Sequence, residues 1–341
     1  MITQALASLL GLAAGTLVAL FVAGPPLGPP SVAPLAVRAA PVALDPRDPA
    51  RDRVGWLRFL GGLELRARDR RFGGLSALLW EEACKRLLAV TDRGAWVILE
   101  PDEADDRLVG IRAAWMGPIR DAAGRALAEK RESDAEALAR RGDETIVAFE
   151  QDHRLQRYRG LSACAPDSLA APAAAVDRPA AMRGWPANGG AEAIAPDGEG
   201  LLILSEEGRA DAAGLAGLRL DPAAPAGVPL VVRPPRGFAP TALDALPGAA
   251  GRHVAVFRRF TPATGVAAVI AELETGETAG EVRPSRILGR LAPPLAVDNF
   301  EAVASRDAGG RIFLYLASDD NFRRLQRTLL LKFEILPEGA P

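Results

Sequence analysis

Apolar residues in this chain fall mostly in short runs that close on a charged or hydroxyl side chain and are set apart by glycine or polar turns. Five such runs, 87–92, 145–150, 201–206, 253–258 and 312–319, end at Asp92, Glu150, Glu206, Arg258 and Asp319. Runs of about four to eight residues are too short for helices and fit strands buried on both faces. A related segment precedes each run. Three copies are clear: Asp134-Ala-Glu136-Ala-Leu-Ala139, Gly190-Ala-Glu192-Ala-Ile-Ala195 and Asn299-Phe-Glu301-Ala-Val-Ala304. Gly73-Gly-Leu-Ser76-Ala-Leu78 and Thr241-Ala-Leu-Asp244-Ala-Leu246 are weaker copies. Aligned on their polar residue, Ser76, Glu136, Glu192, Asp244 and Glu301 stand 60, 56, 52 and 57 residues apart. A recurring interval of this size marks a repeat architecture, slightly longer than the blade of common propellers.

Two further strand-like runs fit most intervals, such as 217–220 and 228–233, which makes four strands per repeat. After Glu301 the chain has room for 312–319 and 328–335 but for no fourth strand. The pattern therefore predicts an all-β propeller of about five blades, or six if a degenerate copy is present. Residues 56–68 supply the missing strand, so that both termini close the ring and no sheet edge is left open. Residues 121–141, rich in Ala, Glu, Lys and Arg, have the one helical composition and are predicted as a short helix or loop.

Three regions follow from composition. Residues 1–24 contain an almost unbroken apolar stretch, 5–23, with no charge before Arg38, close to the length that crosses a bilayer. This is a signal peptide or an uncleaved anchor, and it predicts an exported, periplasmic or otherwise extracytoplasmic protein, held at the inner membrane if the anchor stays. Residues 25–53 are proline-rich and read as a semi-rigid spacer, and 54–337 as the propeller domain. A composition of 49% hydrophobic and 25% charged residues suits a packed core. The net charge of −2 offers no field to recruit nucleic acid, so any electrostatic role is local and membrane contact is expected only through the N-terminal segment. Cys84 and Cys164 are too few for a disulfide scaffold or a zinc site; pairing in an oxidising compartment and two buried free thiols both remain open. The pattern leaves oligomeric state undefined.

If the repeated segment opens the innermost strand of each blade, Glu136, Glu192, Asp244 and Glu301 converge on the axis. Like charges at that range need a compensator. One is a hard cation such as Ca²⁺, held by carboxylate oxygens; another is the set of basic residues that follow the acidic-ended strands, Arg93, His153, Arg154, Arg209, Arg258, Arg259 and Arg323. A carboxylate-activated water attacking an anionic ester gripped by arginines is one outcome, with Asp92, Glu150, Glu206, Asp319 and Asp320 as further ligands or a base. Acid–arginine pairs that merely lock blade to blade are the other. Gly74-Leu-Ser76-Ala-Leu78 and Gly160-Leu-Ser162-Ala-Cys164 lack the closing glycine of a nucleophile elbow. His153 and His253, the two histidines, form no zinc motif, and no glycine pattern supports a nucleotide.

Phe72-Gly-Gly-Leu-Ser76, Thr91-Asp-Arg-Gly94, Asn188-Gly-Gly-Ala-Glu192, Asp298-Asn-Phe-Glu301, Ser318-Asp-Asp-Asn-Phe322 and Gln326-Arg-Thr-Leu-Leu-Leu331 together resemble the phytase-like family of bacterial exported proteins, described by an esterase-like activity of phytase. The resemblance spans about 55–336 and implies a phosphoester or ester hydrolase, with a non-enzymatic binding propeller as the alternative. The candidate catalytic residues are Glu192, Glu301, Asp92, Asp319 and His153. Arg93, Arg154, Arg209, Arg259, Asn321 and Arg327 are candidates to bind a small anionic substrate, and Glu136, Glu192, Glu301 and Asp320 to hold Ca²⁺.

Overall fold

The computed structural model describes residues 31–127, 129–222, 224–248, 251–275 and 280–337. Five sheets stand in a ring and make a five-bladed β-propeller. The innermost strands are Leu75–Glu81, Ala135–Arg141, Ala191–Asp197, Ala239–Ala245 and Phe300–Ala308, and they neighbour one another in that order around the axis. Blades 1 to 4 run outward from these by antiparallel pairing, except that the short outermost strand of blade 3, Glu281–Val282, pairs parallel to Ala224–Val232. Blade 5 continues through Arg311–Ser318 and Thr328–Ile335, and its next strand is Leu57–Ala67 from the other end of the chain, with Thr328 opposite Leu65. The predicted closure by both termini is what the fold uses.

Residues 31–53 differ from the expected spacer. Ala33–Pro34 pairs with the outer edge of blade 1 and Val37–Pro41 with that of blade 5, so this stretch straps the ring at its seam. Proline is tolerated there because an edge strand needs only one row of amide donors. Residues 1–30 lie outside the described residues, and among the described residues no helix is long and apolar enough to cross a membrane.

The helical composition of 121–141 yields one turn of helix, Lys130–Ser133, before Ala135–Arg141 becomes the inner strand of blade 2. Burial between blades overrides propensity here: Ala135, Ala137, Leu138 and Ala139 are all buried. Asp121 accepts the amides of Ala123 and Arg125 and turns the preceding loop. Cys84 and Cys164 form a disulfide that ties the first turn of blade 1 to blade 2.

Below the axial opening the channel is closed. Its cavity of about 10 Å³ is lined by Ala77, Ala137, Ala193, Ala242 and Ala302 with the aliphatic residue after each, room for about one water.

Candidate active site at the mouth of the propeller

Each inner strand begins with the same irregularity. The register slips by one residue at Ser76, Glu136, Glu192, Thr241 and Glu301, leaving each without a cross-strand partner. A bulge re-aims its residue and is common beside sites. The next two residues are alanine and an aliphatic in all five blades. In blade 4 the structure therefore aligns Thr241, and not Asp244, with the glutamates. Asp244 lies three residues further along and accepts the Ser305 amide and hydroxyl at 2.7 and 2.9 Å. It is a link between blades 4 and 5. The two hydroxyls in the ring also bridge blades: Ser76 donates to Ala135 O at 2.6 Å and Thr241 to Phe300 O at 2.8 Å.

A second ring comes from the neighbouring strands: Asp92, Glu150, Glu206 and Asp319, each one residue past the last ladder pair, and Arg258, which pairs with Ala239 as the last rung in blade 4. In the four acidic cases the amide donates back to Gly74, Asp134, Gly190 or Asn299. Glycine is required at two of these positions: a Cβ on Gly74, whose φ is +62°, would fall 2.2 Å from Asp92 Oδ1, and one on Gly190 would fall 2.4 Å from the His153 ring.

The two rings and Asp134 bring together Asp92, Asp134, Glu136, Glu150, Glu192, Glu206, Glu301 and Asp319, balanced by Lys130 and Arg258 and, at Asp92, by Arg93. Lys130 Nζ bonds Asp92 Oδ2 at 3.1 Å and also Asp134, and Gln151 Nε2 bonds Asp134 at 2.6 Å. Arg258 bonds Glu206 at 2.7 Å and Asn299 at 2.5 Å, and stands 3.5 Å from Glu301. Asn299 in turn donates to Glu301 at 2.7 Å.

Three cations do not offset so many buried acids. Burial first, and then neighbouring carboxylates, push Glu136, Glu192 and Asp319 well above the usual carboxylate range. Burial raises Glu301 to about 7 even against the pull of Arg258. Asp92 and Glu206 are raised too, mainly by burial. The cluster must hold protons or a cation. Asp134, Glu136 and Glu150 each place an oxygen within 4.8 Å of the others, all three buried. Asp92 Oδ1 is buried without a hydrogen-bond partner. An all-oxygen donor set with an unsatisfied carboxylate oxygen nearby fits a hard metal cation.

The remaining candidates are placed as follows. Asp320 accepts the amides of Gly74 and Phe322 and the Thr328 hydroxyl, which spends it as a brace between blades 5 and 1. Asn321 is exposed, and its amide donates to Asp319 at 2.5 Å. Arg93 stacks on the Phe322 ring at 4.0 Å. Arg154 is buried, stacked on Phe149 and bonded to Asp152 O and Glu132 O, out of reach of a ligand. Arg327 holds Asp298 and Val297 O. His153 Nε2 lies 2.9 Å from Pro186 O, so its proton is committed to a loop carbonyl. Arg209 and Arg259 line an open groove of about 1110 Å³ with Arg236, Phe238 and Phe260, and this groove ends on Glu206 and Arg258. Lys130 and Asp134 belong to the site although their sequence surroundings read as helix; the signal was the acid two residues before Glu136, where the other blades have Gly74, Gly190, Ala239 and Asn299.

A closed five-bladed propeller with a buried acidic mouth and an arginine-lined groove beside it is the class that fold and site define. The chain belongs to the phytase-like family, whose model, described as esterase-like activity of phytase, matches residues 70–322. No curated protein matches it. Among solved structures it is similar to the glutaminyl cyclase of Myxococcus xanthus, at 13% identity over 78% of this chain and 92% of that one with a TM-score of 0.42. The RS223 β-xylosidase is similar at 12% identity over 81% and 94%, with a TM-score of 0.44.

Proposed function

We propose that the protein is an exported, metal-assisted hydrolase of phosphate or carboxylic esters working at the mouth of the propeller. The observation that carries this reading is the excess of buried carboxylates over cations, opening directly onto an arginine-lined groove. Asp134, Glu136, Glu150 and Asp92 would hold the cation. When bound, it supplies Lewis-acid stabilisation of developing negative charge. Glu301, with a pKa of about 7, is suited to accept a proton from water near neutral pH. Arg258 fixes Glu301 and Glu206 and faces the groove, where Arg209 and Arg259 would orient an anionic ester. Glu192 shares a hydrogen bond with Glu150 and keeps that carboxylate in place. Export is supported by the apolar segment 5–23 and by the Cys84–Cys164 disulfide, which persists in oxidising compartments.

The test is the metal content of the purified full chain and a screen of phosphate and carboxylic esters, repeated with Glu192→Ala and Glu301→Ala. Turnover lost in both variants supports the reading; no turnover by the parent, or equal turnover in the variants, refutes it. The Arg258 pairs with Glu206 and Asn299 favour one alternative, a propeller that binds an anionic ligand without turning it over. Ligand binding retained with no product on any ester would identify it.

A further inference from the structure

The chain enters the propeller on the face that carries the mouth. Ala33 pairs with Met116 on the outer strand of blade 1, and Pro118 on that strand pairs with Ala95, just past Asp92. Val32 packs against Gly117 at the same level. Upstream lies the apolar stretch 5–23, joined by residues 24–32, which include Pro25, Pro26, Pro29 and Pro30. In a polyproline-like extension, nine residues reach about 28 Å. For the mouth to face away from a bilayer holding 5–23, this tether would have to run the height of blade 1. From Met116, opposite Ala33, the outer strand runs nine residues down to Arg107, about 30 Å at about 3.3 Å each. Only a tether drawn out fully along the blade covers that distance.

Side chains choose among a mouth facing away, one turned sideways and one turned to the membrane. Leu325 is 97% exposed and Phe260 66%, the two most exposed large hydrophobic residues described. Both project on the mouth face. Leu325 is in the loop leading to Thr328–Ile335, and Phe260 is in the hairpin that continues past Arg258. Single exposed apolar residues are ordinary on a surface. These two share their face with the tether and are flanked by exposed arginines: Arg323 and Arg324 beside Leu325, with Arg66 across the adjoining cleft, and Arg236 beside Phe260. Apolar tips among basic side chains suit the boundary between anionic headgroups and acyl chains.

We infer that the mouth face seats on an anionic bilayer through Leu325 and Phe260 and their surrounding arginines, so that the acidic site opens toward lipid headgroups. This goes beyond hydrolysis and needs no turnover; it rests on residues 5–23 entering the membrane. Cys84 and Cys164 are bonded to each other, so a single introduced cysteine can be labelled selectively. The full chain carrying Leu325→Cys, Phe260→Cys or Val109→Cys is labelled with a fluorophore and reconstituted in phosphatidylcholine vesicles containing phosphatidylglycerol and a nitroxide lipid. Val109, 48% exposed, lies beyond the opposite face and serves as the control. The expected result is flotation with the vesicles and several-fold stronger quenching at 325 and 260 than at 109. Adding Arg323→Glu and Arg324→Glu should bring position 325 down to the control level. Floating protein quenched equally at all three positions, or quenching indifferent to both reversals, overturns the inference. Protein that does not float refutes the membrane insertion on which it rests, and the inference with it, while the ester screen stands apart.

Discussion

Replacing Glu301 by glutamine keeps the shape of the side chain and its acceptor for Asn299 while removing its charge. The folded protein holds Glu301 at about 7, against an ordinary 4.5. A carboxyl raised by folding binds a proton more tightly in the native state, so its contribution is intact below about 4.5 and is lost as pH rises through 7. Each tenfold gain in proton affinity is worth roughly 1.4 kcal/mol, so above pH 8 the ionised group costs about 3 kcal/mol. In chelator, Glu301→Gln should therefore match the parent at pH 5 and exceed it by about 3 kcal/mol at pH 8.5, a Tm difference of about 5 °C for a domain of this size. Calorimetric melting across that range, with and without millimolar Ca²⁺, reads the effect. Added Ca²⁺ should raise the parent's Tm at pH 8.5 and narrow the gap. A variant no more stable than the parent at pH 8.5 in chelator, or a difference that does not change with pH, would refute the account of the mouth as a site with excess negative charge.

Other outcomes follow from single contacts. Glu136→Gln and Asp134→Asn should each weaken Ca²⁺ binding by at least tenfold in calorimetric titration, and binding unchanged in both would move the metal elsewhere. Asp244, buried between blades and raised to about 6, predicts a loss of roughly 3 kcal/mol between pH 4 and 6 that is absent from the pH–stability curve of Asp244→Asn. Glu103 receives Arg306, Tyr315 and the fully buried Lys332, so Glu103→Ala should cost about 3–5 kcal/mol in urea unfolding by leaving the Lys332 ammonium with the Asp106 carbonyl and no bonded carboxylate. Opening the disulfide by Cys84→Ser with Cys164→Ser should cost roughly 2–4 kcal/mol, read by the same method.

The repeat was legible because its buried strands are short and its motif recurs. The motif was misaligned where only one residue type was followed. In blade 4, aligning on the acid selected Asp244, whereas Ala242 and Leu243 match the alanine–aliphatic pair that closes the channel in every blade. Packing at the axis fixes that pair; the bulged residue before it varies among serine, threonine and glutamate. Asp92, Glu192, Glu301 and Asp319 lie together at the mouth, as the strand ends suggested. The arginines were less readable, because Arg154 and Arg327 differ from Arg209 and Arg259 only in what the loops lay against them. The same holds for Asp320, one of whose two backbone donors, Gly74, comes from the far end of the chain.

The strand Leu57–Ala67 finds its sheet only when Thr328–Ile335, the last strand of the chain, has been made. Until then blade 5 lacks both Thr328–Ile335 and the strand Leu57–Ala67 that joins through it. A chain still being synthesised therefore cannot complete this domain early. Pairing across nearly the full sequence is slow to form, which delays assembly of the acidic mouth until Thr328–Ile335 is in place.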